Sequence, residues 1–131
     1  MDEWVVRGGI AVPKYLSAGY AEHKKAPGVY GFSVQYQPGI SIDDLAQAGQ
    51  FPNAEISYAQ KVALEVAVQQ FGYTMELRRT PGIGYHHTLI VLYDASRQMI
   101  HSLQQLPHVT QAISDAFQQQ PNPHRVKRKN P

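Results

Sequence analysis

The chain contains no cysteine, and that one absence removes disulfides, thiolate metal sites and cysteine nucleophiles together. It fits a cytosolic working place, where thiol chemistry is not needed for stability. Long apolar runs are also missing: nothing approaches the roughly 20 residues that cross a bilayer. The start, Met1-Asp2-Glu3-Trp4, lacks the basic-then-apolar layout of a signal peptide. A soluble, cytoplasmic protein without a membrane partner is the expectation. Charge is sparse too, at 17% of residues. The net +2 is concentrated at one end, because removing the four charges of Arg125, Lys127, Arg128 and Lys129 takes the remainder to −2. A slightly acidic body therefore carries a basic tail, which is either a solvated terminus or a contact for phosphate backbones.

What is present is enough for one core. A length of 131 residues suits a single domain. The expected division is a folded domain over 1–119 and a basic, disordered tail over 120–131, with disorder setting in from the Gln- and Pro-rich stretch at Gln118.

Periodicity outlines the elements. Glu3 to Arg7 reads as a strand stopped by Gly8-Gly9. The stretch from Lys14 to Pro27 allows one helical turn near Tyr15 and Leu16, then a mobile loop carrying His23, Lys24 and Lys25. Tyr30, Phe32, Val34 and Tyr36 alternate onto a core face, leaving Gly31, Ser33 and Gln35 on a small polar one. Ser41 with Asp44 three residues on starts a short helix that Gly49 closes. A strand over Ala54–Tyr58, a helix over Gln60–Phe71 with Val62 and Val66 at helical spacing, and a strand over Tyr73–Arg78 follow. Asp94 is placed to cap a helix from Ala95 to Leu106, which Pro107 breaks before a second one reaching Phe117. The sum is an α+β fold: a small twisted, mainly antiparallel sheet of about five strands, helices on one face and two of them C-terminal. Trp4 or Val6, Phe32, Val34, Val66, Leu77, Ile90 and Leu92 are the expected core.

Potential chemistry gathers in the stretch from Thr80 to Tyr93, a Pro/Gly loop feeding a strand. Alternation puts His86 and Thr88 on one face and His87 with Leu89 on the other. An imidazole titrates near neutral pH and a hydroxyl two residues away can bond a phosphoryl oxygen, the pair that intramolecular RNA cleavage requires. His87 reads as structural. Arg7 at a strand end beside two glycines suits a forked contact to phosphate, with pairing to Glu3 or Glu55 as the plainer use. Ser33 and Gln35 could line the same groove, and Arg78 and Arg79 could add positive field. The six histidines lack a His-x-x-x-His spacing, so neither a metal nor another cofactor is expected.

The order Val5-Val6-Arg7-Gly8-Gly9, Phe32-Ser33-Val34, Pro52-Asn53 with Ile56-Ser57-Tyr58, and Pro81-Gly82-x-Gly84-Tyr85-His86-x-Thr88 resembles C-terminal domains of bacterial polymorphic toxins. Many of these are similar to the barnase, EndoU, colicin D and RelE group of metal-independent ribonucleases. The resemblance implies His86 as general acid/base, Thr88 as a phosphate contact and Arg7 as transition-state stabiliser. Only His23 is available as a second histidine. RNA, tRNA included, would be the substrate and a cognate immunity protein or antitoxin the partner. A strand ending Arg-Gly followed by one with Phe-Ser also resembles ADP-ribosyltransferases that use NAD. Their late-strand glutamate has no counterpart here, Glu76 being the nearest carboxylate. A non-catalytic binding module is the third expectation.

Overall fold

A computed structural model describes residues 3–49, 51, 55–82 and 84–121. Its longest strand, β3 (Ala26–Tyr36), is the one whose alternation the sequence marks most clearly. Antiparallel partners flank it: β1 (Trp4–Gly8) on one edge and β6 (His87–Tyr93) on the other. The order β5-β6-β3-β1-β4-β7 is completed by β5 (Thr74–Arg79), β4 (Glu55–Gln60) and β7 (Gln118–Pro121), while β2 (Ala21–His23) pairs β3 alone. The fold is α+β, as expected, with a seven-stranded antiparallel sheet and four helices rather than about five strands.

The main core lies on the side toward which Phe32, Val34, Ile90 and Leu92 point. Three helices close it. α1 (Pro13–Gly19) contributes Leu16, and α3 (Lys61–Gln69) contributes Leu64 and Val68. α4 (Pro107–Ala116) adds Val109 and Ile113. The opposite face is only partly covered. There α2 (Ile42–Ala48), capped as expected by the Ser41 hydroxyl accepting from Asp44 N, lays Leu45 and Ala46 on Val6 and Ile56. Helices therefore sit on both faces of the sheet, not one.

Other expectations are corrected for identifiable reasons. Residues 95–106 are not a helix. The Asp94 carboxylate accepts from Ser96 N and Gln98 N, each at 2.9 Å, and Arg97 takes a φ of 63°. A residue suited to capping a helix here closes a turn instead, because an aspartate serves either purpose with the same hydrogen bonds. Pro107 opens α4 instead of breaking a helix, since its missing N–H and fixed φ suit the first helical position. Val66 is 58% exposed: α3 carries two apolar stripes, and Leu64, Ala67 and Val68 form the inward one. The segment with His23 is no mobile loop but a hairpin of β2 with β3, turning at Lys24-Lys25. Gln118 and Gln119 belong to β7, because the free edge of β4 offers backbone partners that need no apolar side chain. The tail from 122 on, and Pro52-Asn53, lie outside the described residues.

Candidate functional site

Two strands share the edge of β3 opposite β6. β2 pairs Gly31 and the residues before it, whereas β1 pairs only Gln35 and Tyr36. Between these ladders, Phe32, Ser33 and Val34 have no strand partner along that edge among the described residues. Arg7 supplies one. Its guanidinium sits 5.2 Å from the centroid of the Phe32 ring, and Nη1 donates to the Ser33 carbonyl oxygen at 2.7 Å. Burial pulls the Arg7 pKa below its ordinary 12.5, and a guanidinium stays a cation in proteins. No described carboxylate lies within ion-pair distance of it. Glu3, one expected partner, is engaged by the Tyr36 hydroxyl and Lys61 instead. A half-buried arginine whose charge has no described counter-ion favours an anionic ligand.

Arg7, Ser33, Gln35, Phe51 and His87 line a groove of about 290 Å³ beside this gap. His87 Nε2 lies 3.1 Å from the Ser33 hydroxyl. On its other side, Nδ1 is 3.0 Å from the Thr80 hydroxyl and 3.3 Å from the Thr80 carbonyl oxygen. A proton on Nδ1 donated to Thr80 leaves Nε2 free to accept, the arrangement in which a base is held by a third group. Burial lowers the His87 pKa below 6.5; the bond to the Thr80 carbonyl opposes that shift and nearby His23 adds to it. Neutral at pH 7, this imidazole is a base in waiting. Gly82 makes its position possible, since a Cβ there would stand 2.3 Å from the ring. The Pro/Gly loop thus has a mechanical purpose: its backbone packs directly on the imidazole.

His23, reached by the β2 hairpin, faces the same ring, with centroids 5.5 Å apart. Its Nδ1 accepts from Lys25 N at 3.1 Å, which puts the hydrogen of the neutral ring on Nε2. The site therefore has a second histidine, in a position that folding the hairpin was needed to reveal.

The expected constellation is changed at its centre. His86 precedes β6 and does not line the groove that Arg7 enters; its Nδ1 is buried without a hydrogen-bond partner. Thr88 faces the core opposite Val34, and its hydroxyl donates to the His86 carbonyl oxygen at 2.9 Å. Neither residue meets Arg7 over one groove. The alternation is the expected one, but Ile90 and Leu92 are buried in the main core and Thr88 shares their face, so the open face is that of His87, which takes the place assigned to His86. Arg78 and Arg79 are also elsewhere. Arg78 pairs with Glu76 and the Tyr93 hydroxyl, in a shallow depression at the sheet edge. Arg79 holds the Tyr85 carbonyl oxygen at 2.9 Å and the Gln37 side chain, anchoring the loop before β6. Ser33 and Gln35 do line the groove, although Gln35 is only 3% exposed.

No described helix is long and apolar enough to cross a membrane. Among the described residues no three histidine or carboxylate side chains group as metal ligands. The groove's donor set is one guanidinium, one hydroxyl, one amide and one imidazole, with the second imidazole, His23, against that ring from the neighbouring groove, a set for anion binding and proton transfer. Compared with family models, with curated proteins and with solved structures, the chain matches none.

Proposed function

We propose that this groove cleaves RNA without a resident metal, using His87 rather than His86 as its base. The observation that supports the reading most is the pairing of His87 with His23 beside an arginine that has no described counter-ion. Phosphodiester cleavage by the neighbouring 2′-hydroxyl needs these parts. The 2′-oxygen bonds to phosphorus as its proton passes to His87 Nε2. The bond from phosphorus to the 5′-oxygen breaks, and His23 gives that oxygen a proton. The products are a 2′,3′-cyclic phosphate and a 5′-hydroxyl. Arg7 lies where charge grows on the non-bridging oxygens, and a fixed cation there lowers the barrier. The Ser33 hydroxyl marks, at 3.1 Å from Nε2, the distance at which a substrate hydroxyl would surrender its proton. To act as the acid, His23 must be doubly protonated, which gives up its bond from Lys25 N. On this reading the chain is the toxin domain of a polymorphic toxin. It acts in the cytoplasm on single-stranded or tRNA-like RNA, and a cognate immunity protein covers the groove.

A second reading, ADP-ribosyl transfer from NAD, draws on Arg7 and Ser33 lining one groove. No described carboxylate lines that groove, and Glu76 is held by Tyr93 and Arg78 at the sheet edge, which ranks it second. The test is cleavage, in EDTA, of a DNA oligonucleotide containing one ribonucleotide. Cyclic-phosphate product is expected, with His87→Ala slower by at least ~100-fold, the low end for loss of a general acid or base. His86→Ala should stay within a few fold. Intact RNA throughout, or full activity in His87→Ala, overturns the proposal. NAD consumption replaces it with the second reading.

A further inference from the structure

A second and larger groove, about 480 Å³, meets the first at Ser33, which lines both. Gly19, Gly31 and Gly82 line it without side chains of their own, beside Leu89, and the Lys24-Lys25 turn lines it too. A Cβ at Gly31 would come within 2.4 Å of the Ile90 carbonyl oxygen, so a side chain cannot enter from that position without displacing the sheet. Lys24 and Lys25 are exposed and make no ion pair with a described carboxylate. Glu22, the carboxylate lining this groove, is turned to Gly28 N, from which it accepts at 2.8 Å. His23 stands at the junction, next to His87 and on the same turn as the lysines. Two cationic positions thus line neighbouring grooves: Arg7 at the proposed reacting centre and the lysine pair beyond His23.

We infer that the second groove is a subsite for the next phosphate of an RNA strand, so that the chain grips its substrate at the phosphate it cuts and at the one beside it. The inference rests on the nuclease reading of the first groove. It assigns Arg7 to the reacting phosphate and Lys24 with Lys25 to its neighbour, while the glycine lining gives room for the intervening nucleoside. Chains with a single phosphate fill the first groove only. An immediate consequence is a length threshold: binding strengthens sharply when a second phosphate is added.

The experiment measures anisotropy of fluorescein-labelled thymidine dimer and trimer, which carry one and two internucleotide phosphates and have no 2′-hydroxyl to react. The trimer should bind the wild-type chain at least ~10-fold more tightly, the effect of one charge-assisted hydrogen bond. The Lys24→Ala/Lys25→Ala double variant should bind both probes alike, at the wild-type dimer's affinity. Its log–log salt slope for the trimer should shrink by about 0.7, one phosphate contact on a single strand. Lys24→Arg/Lys25→Arg should retain the gain. No gain from dimer to trimer, or a gain that survives in the double alanine variant, overturns the subsite. NAD binding more tightly than the trimer also overturns it, since the two grooves would then hold a dinucleotide. Failure of the nuclease reading is a separate event: absent cleavage of the ribonucleotide-containing probe, with the length gain intact.

Discussion

β3 and β6 present two faces that differ by a one-residue step along the same backbone. Phe32, Val34, Thr88, Ile90 and Leu92 point one way and are buried under α1, α3 and α4. Ser33, Gln35, His87 and Leu89 point the other way, where α2 lays its apolar residues on Val6 and Ile56 of β1 and β4. One face is an apolar core and the other is the floor of the candidate site. Their difference teaches that the site needs no special element. It is what remains polar where helical cover ends, and the missing stretch of strand partner at Ser33 lets Arg7 reach it.

The comparison breaks most visibly at Phe32. Phe32→Ala should cost about 3–5 kcal/mol, the range for deleting a buried aromatic side chain, as read from denaturant unfolding. Ser33→Ala, one residue away on the other face, should change stability by no more than ~0.5 kcal/mol. Equal effects at the two positions would show that the faces are not distinct in energy.

Much of the closed face was legible, because burial on one side imposes a period of two that Tyr30, Phe32, Val34 and Tyr36 display openly. The open face was legible in part. Arg7 and Ser33 were found from their place at strand ends and on the polar face. His87 was not: alternation separates it from His86, but it does not say which of the two faces stays open, and Ile90 and Leu92, on the Thr88 side, are the buried ones. His23 was noticed but set in a loop, because a three-residue strand such as β2 leaves almost no periodic trace. The false helix at 95–106 and the misplaced Val66 share a cause. In both, a local signal (an aspartate cap, an apolar i, i+4 pair) fits two structures equally, and only tertiary packing chooses.

The open face can be sharpened by pH. Burial lowers the His87 pKa in the folded chain, while in the unfolded chain it returns to about 6.5. Between these values the unfolded state holds a proton that the folded state does not, so stability rises with pH across that window. It is lost as pH falls below about 6.5 and is independent of this group above it. Glu3, whose carboxylate is held below its ordinary value chiefly by the Tyr36 hydroxyl, gives stability that is fully present above that value and is lost only as pH falls below it, outside this window. Unfolding measured from pH 5 to 8 should therefore show a slope that His87→Gln flattens. A slope unchanged in that variant would place the proton elsewhere.

The smallest effect lies on α3, where the contrast between covered and open surface recurs on one helix. Leu64 is 1% exposed and Val66 58%, two residues apart. Leu64→Ala removes buried methyls from the main core and should cost about 2–5 kcal/mol. At Val66 two small terms oppose each other. Alanine gives up a half-exposed apolar contact, worth a fraction of full burial. It also restores side-chain freedom that a β-branched residue loses in a helix, up to ~0.7 kcal/mol across ordinary residues. The net change for Val66→Ala should fall within ~0.5 kcal/mol of zero by thermal or denaturant melting. A loss above about 1.5 kcal/mol would mean that Val66 packs against something in solution. Its stripe with Val62 would then be a covered face, and α3 would be closed on both sides.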